Sequence, residues 1–168
     1  EAAKSHNRPV IAANAPRRYV RLARTDGYQR LKSLPASRRR LFDLPRSVSD
    51  DSYKQRFLDL MKDTESHGDP TSQDPEAGFR SQSLWDATMA ASIARAHHDN
   101  AKKIVHVVGQ FHCDFNGGTV QQLRARLERQ RHAGELVFPR PGCIHERRTG
   151  VLDQRQRNAG LRSVAGER

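Results

Sequence analysis

Apolar positions recur along the chain in two styles. Val10, Ile11, Ala12 and Ala13 form a short unbroken run after Pro9, and Ile104, Val105, Val107 and Val108 form a second, interrupted only by His106. Runs this short and continuous suit buried strands. Elsewhere the period lengthens. Val20, Ala23 and Leu31 fall on one face of a predicted helix from about Arg17 to Lys32, with Asn14 and Pro16 as cap and first-turn residues. Leu34, Pro35 and Ala36 break it. Ser52 is placed to cap a helix carrying Tyr53, Phe57, Leu60 and Met61 at spacings of three and four. The most convincing helix has Trp85, Met89, Ile93 and Ala96 on one stripe, with Asp86, Ser92 and Arg95 off it. Gly117, Gly118 and Thr119 open a last helix with Val120, Leu123 and Leu127. The order strand, helix, helix, helix, strand, helix predicts an α/β fold, a layered sheet with flanking helices.

Two stretches lack any period. Residues 63–78 contain Ala77 as their one apolar side chain and read as a loop. From about Gln130 the apolar residues follow neither period, among scattered Gly and Arg. The predicted domain is therefore 1–129, and 130–168 is expected to be a basic, disordered tail. Glu1 to Lys4 read like the end of a helix already under way, so an upstream segment is expected and the sheet would be incomplete without it.

Composition narrows the functional classes. Apolar residues are 35% and charged residues 29%, with a mean hydropathy of -0.86, which leaves a small core. Thirty basic against 19 acidic side chains give a net charge of +11. The excess sits in residues 1–62 and 131–168, while 63–130 is slightly acidic. Such a surface attracts anions of several kinds. No aromatic residues interleave with a basic stripe and no helix-turn-helix or zinc pattern appears, so sequence-specific nucleic-acid binding is not expected. No stretch approaches the roughly 20 apolar residues of a membrane span. Cys113 and Cys143 form no CxxC or finger spacing and leave room for one disulfide.

Candidate chemistry lies after the two apolar runs, because ligands of open α/β sheets bind beyond the strand ends. The first run is followed by Asn14, Arg17 and Arg18, an amide and two guanidiniums at a helix start that favour a carboxylate or phosphate. Helix capping explains Asn14 equally well. The second run leads to His112, with Asp114 two residues on. His112 can ligate a metal, act as a general base, hydrogen-bond a bound group, or be structural. Gly117 and Gly118 before a helix resemble a phosphate loop but lack the full GxGxxG and GxxxxGK[ST] patterns. The other histidines carry no ligand spacing. Tyr19, Tyr28 and Tyr53 sit on amphipathic helices where packing accounts for them, and Trp85 reads as core.

Three segments in order, RPVIAANAPRRYVRLA (Arg8 to Ala23), SQSLWDATMAASIA (Ser81 to Ala94) and VHVVGQFHCDFNGGT (Val105 to Thr119), resemble the ChaN family of haem-binding lipoproteins within the Tiki superfamily. The resemblance covers about residues 1–129 and corresponds to the latter part of the family domain. It implies an α/β domain, export to the cell envelope with attachment through an N-terminal lipid anchor, and haem binding for iron uptake. In the family a tyrosine holds the haem iron and two loaded protomers pair, so haem or another anionic small molecule and a homodimer are the implied partners. Cofactor contacts would come from His112, Arg17, Arg18, Asn14 and Asp114. Other branches of the superfamily are hydrolases that join an N-terminal Gly-x-x-His-type motif to a later histidine, the position Gly109 to His112 resembles. On that alternative His112 would bind a divalent metal.

Overall fold

The computed structural model describes residues 1–47, 52–65, 74–99, 101 and 103–132. Six α-helices account for most of these residues: α1 (Ala2–Ser5), α2 (Arg17–Lys32), α3 (Ala36–Arg39), α4 (Ser52–Glu65), α5 (Pro75–His98) and α6 (Gly118–His132). Two 3₁₀ turns, Gln110–His112 and Asp114–Asn116, precede α6.

The predicted α/β architecture is overturned, since no strand occurs among the described residues. Both apolar runs lack a described backbone neighbour to pair with, and a strand exists only against another strand about 4.8 Å away. Their side chains are not buried either. Val10 is 79% and Val107 92% exposed. The stretch read as a loop is helical at both ends, for Asp63–Glu65 continue α4 and Pro75–Gly78 begin α5. The predicted tail from Gln130 lies almost wholly outside the described residues, as does Cys143.

Helix α5 is the spine. Asp74 caps it by accepting from Ala77 N at 3.0 Å, and Pro75 supplies a first turn that needs no donor. Its interior is rich in alanine and small polar residues, so neighbouring helices approach closely on several sides. Ala87, Ala90, Ala91, Leu84, Thr88 and Ser92 are all buried. Helices α2, α4 and α6 each pack on it.

On the α2 side the core joins Tyr19, Val20, Ala23, Leu31, Leu34 and Phe42 to Leu84. Ala23, Leu31 and Leu84 are fully buried. Truncating such a leucine typically costs about 2–5 kcal/mol. Asn14 does not cap α2, whose N-cap residue is Pro16 with no side-chain cap bond. Near its end α2 kinks at Gly27, where φ is +74°. On the other side Leu123 and Leu127 of α6 pack against Ala90. A strap after α3 binds both helices: Asp43 N donates to Thr88 Oγ1 at 3.0 Å, Arg46 N to Gln122 Oε1 at 2.8 Å, and Arg95 pairs with Asp43 at 2.9 Å.

Tyr28, just past the kink, ties α2 to α5 by donating to the Arg80 carbonyl at 2.8 Å. Burial pushes its phenol up to about 12. Between pH 10 and 12 the folded chain therefore holds a proton that the unfolded chain has released, and stability falls as pH rises through that window. Tyr28→Phe is expected to cost about 1 kcal/mol at neutral pH for the lost hydrogen bond. It should also flatten the alkaline fall, which urea unfolding from pH 8 to 12 measures.

Candidate functional site

A buried carboxylate organises the site. Asp86, near the middle of α5, is 1% exposed and receives three hydrogen bonds. Tyr53 Oη of α4 donates to Oδ2 at 2.7 Å, Thr119 Oγ1 of α6 to Oδ1 at 2.8 Å, and His112 Nδ1 to Oδ1 at 2.8 Å. One side chain thus ties α4, α6 and the first 3₁₀ turn to the spine. A charge so far from water persists only with this degree of pairing.

The same bonds fix the orientation of the His112 ring. A carboxylate only accepts, so Nδ1 carries a hydrogen and Nε2 is the ring nitrogen not engaged by Asp86. Gln82 Nε2 donates to Tyr53 Oη at 2.9 Å and lies 3.1 Å from His112 Nδ1. With Nδ1 already donating to Asp86, that second approach is packing. Trp85 meets the imidazole edge-on, with ring centroids 6.5 Å apart. The His112 side chain retains 20% exposure, so a ligand can reach it.

Aromatic packing holds the arrangement. Tyr53 lies 5.3 Å from Phe111 and 5.9 Å from Phe79, and Phe57 lies 5.5 Å from Phe79. Burial and the adjacent Asp86 carboxylate drive the Tyr53 phenol well above its ordinary pKa. It therefore stays neutral and serves as a donor. His106, on the extended segment before the turn, has its pKa lowered by burial and by the nearby His112. Its Nε2 is buried with no hydrogen-bond partner among the described residues.

The glycine pair is explained by close approach. A Cβ on Gly117 would lie 2.7 Å from the Tyr53 ring, and one on Gly118 would lie 2.5 Å from the His112 carbonyl oxygen. Gly118 also has a φ of +47°. These residues let the start of α6 press against Tyr53 and the His112 backbone.

Beside this cluster a cleft of about 630 Å³ opens between α2, α4 and α5. Helix α2 lines it with Arg17, Arg21 and Arg24, and with Val20 between them. Phe57 and Met61 of α4 and Trp85 of α5 supply apolar surface, and Gln82 links the cleft to the His112 cluster. The size and mixed lining are those of small-molecule sites.

The predicted site residues scatter. His112 is at the centre of the cluster and Arg17 is on the cleft. Arg18 instead lies over the Tyr19 ring at 4.7 Å. Asn14 is exposed at the approach to α2. Asp114 starts the second 3₁₀ turn, and its carbonyl accepts from Arg56 at 3.4 Å. Sequence reasoning missed Asp86, Gln82, Thr119 and the role of Tyr53. Trp85, read as core, packs half-buried against the core beside α2 and also lines the cleft.

Comparison with protein families gives a match over residues 1–123 to haem-binding uptake proteins of the Tiki superfamily, ChaN. The chain belongs to this family. Neither curated proteins nor solved structures give a match. The residues of this ChaN-family chain fit a haem: a partly exposed imidazole oriented by a buried carboxylate is a recurrent iron-ligand arrangement. The aromatic and cationic lining of the cleft suits a flat apolar ring with carboxylates. Among the described residues no three or more His, Cys, Asp or Glu are placed to share a metal ion. No described helix is long and apolar enough to cross a membrane.

Proposed function

We propose that the protein binds haem through His112 and the adjoining cleft, in the service of haem or iron uptake at the cell envelope. The observation that carries this reading is the Asp86–His112 bond, which orients the imidazole against Trp85, a residue of the cleft wall. Haem iron would be held by Nε2, and the bound group would supply an iron centre for storage or transfer. Asp86 keeps the imidazole in one tautomer and orientation and raises its basicity as a ligand. Arg17 lines the cleft and would meet a propionate. Pairing of two loaded copies and attachment through a lipid belong to the same reading.

Family membership supports haem as the ligand, while the local chemistry favours imidazole over phenolate. Tyr53 is committed to Asp86, Tyr19 is 4% exposed, and Tyr28 donates to a carbonyl. A titration with hemin followed by visible absorption tests the assignment. A Soret shift that saturates at one equivalent is expected, and His112→Ala should weaken binding about 10–100-fold. An identical titration curve for His112→Ala would remove His112 from the iron.

A further inference from the structure

His106 stands outside the hydrogen bonds that converge on Asp86. It lies in the middle of the extended run of residues 103–109, and burial alternates along that run. Ile104, His106 and Val108 are half-buried, while Val105 and Val107 stand in solvent. The inward side chains therefore seat the run on the rest of the protein. Its backbone does not, since no backbone group of residues 104–108 takes part in a hydrogen bond among the described residues. Of the three inward side chains two are aliphatic, and the third is this imidazole. Its Nε2 is buried with no hydrogen-bond partner among the described residues.

Such a seat suits a neutral ring. Burial, and then the nearby His112, oppose a proton on His106, while the Asp86 carboxylate favours one but is already shared by three donors. These two are the charged groups that face it among the described residues. The folded chain thus takes up this proton less readily than the unfolded chain, whose histidine keeps the ordinary value of 6.5. The contribution to stability is whole above that pH and is lost as pH falls below it. The cost can be relieved by unfolding the helices or by lifting the run. Lifting gives up two half-buried aliphatic contacts and no backbone hydrogen bond, so it is the cheaper path. We propose that residues 103–109 form an acid-released latch: a neutral His106 keeps the run seated near neutral pH, and a proton on it lifts the run while α2, α4, α5 and α6 stay folded. A charged His112 would pair with Asp86 more strongly, so the turn stays in place and the run swings from Gly109. What opens is apolar, because Ile104 and Val108 leave their seats and join Val105 and Val107 in water.

Fluorescence of the dye anilinonaphthalene sulfonate, which brightens on apolar surface, tests this on the full chain between pH 7.5 and 5.5, with circular dichroism reporting on the helices. On acidification wild type should gain at least about 3-fold in dye fluorescence with its helical signal unchanged. His106→Phe and His106→Leu remove the titrating ring and keep an apolar side chain, so they should lose most of that gain. His106→Lys carries a charge at both pH values and should bind dye at pH 7.5 about as wild type does at pH 5.5. No gain in wild type, a gain kept in both apolar variants, or a gain that comes with loss of helix would overturn the proposal. Should neither apolar variant fold at pH 7.5, the histidine ring signals of wild type decide by NMR: the gain must follow the titration of His106, and a gain that follows another histidine overturns the latch. Hemin takes no part in these measurements, so the latch and the haem reading stand or fall separately.

Discussion

Asp86→Ala is expected to destabilise the protein by about 3–5 kcal/mol, a fall in Tm of about 10 °C or more. The cost comes from what remains. Tyr53 Oη, Thr119 Oγ1 and His112 Nδ1 all donate to this carboxylate, and after truncation three donors face a void inside the helical core. Asp86→Asn keeps one oxygen and the volume, so a smaller loss of about 1–3 kcal/mol is expected. It also turns an amide N–H toward a donor and frees the imidazole to rotate or change tautomer. The two variants thus separate the roles of Asp86: alanine reports chiefly on stability, asparagine chiefly on His112. Differential scanning calorimetry and hemin titration on the same samples measure both. A fall of less than 1 kcal/mol in Asp86→Ala would mean that the three bonds do not hold the helices together.

Gly118→Ala should be nearly as damaging, at about 2–4 kcal/mol. Two costs combine there. The left-handed φ of +47° is unfavourable for any L side chain, at about 1–2 kcal/mol. The new methyl would also meet a backbone oxygen at 2.5 Å and the Tyr53 phenol at 2.9 Å, and a backbone oxygen cannot swing aside. The start of α6 must therefore shift, carrying Thr119 away from Asp86. Gly27→Ala offers the contrast, since φ is +74° but a Cβ there meets nothing within 4 Å. It should cost only the conformational part, about 1–3 kcal/mol, because with ψ at 179° the residue occupies a region essentially restricted to glycine. A loss in Gly118→Ala of no more than the conformational part, about 1–2 kcal/mol in urea unfolding, would show that close approach to Tyr53 and His112 is unimportant.

How much of this was legible in the sequence follows from what each pattern measures. Helical periodicity is local, and α2 and α6 appear where it placed them, with Val20, Ala23, Leu31, Val120, Leu123 and Leu127 buried. A strand is a relation between two segments. The runs Val10 to Ala13 and Ile104 to Val108 look alike whether or not a neighbour exists, so the α/β expectation failed on a property no single run contains. Asp86 escaped for a related reason. A one-stripe reading of α5 sets Asp86 and Ser92 toward solvent, yet α2, α4 and α6 enclose the helix on several sides and bury both. The available signal was compositional: a lone carboxylate amid alanines and small polar residues in a helix with little contrast between faces. His112 stood out in the sequence as a candidate because it closes an apolar run where loops were expected to converge. Its partner, 26 residues earlier, did not.

On the proposed function, His112, held by Asp86, would ligate haem iron in place of a tyrosine. Resonance Raman spectroscopy of the haem-loaded protein tests it most directly, because imidazole and phenolate give different iron–ligand signatures. The ferrous wild-type protein should show an iron–imidazole stretch that disappears in His112→Ala and shifts in Asp86→Asn. An iron–phenolate signature in the ferric protein, unchanged in His112→Ala, would contradict the account.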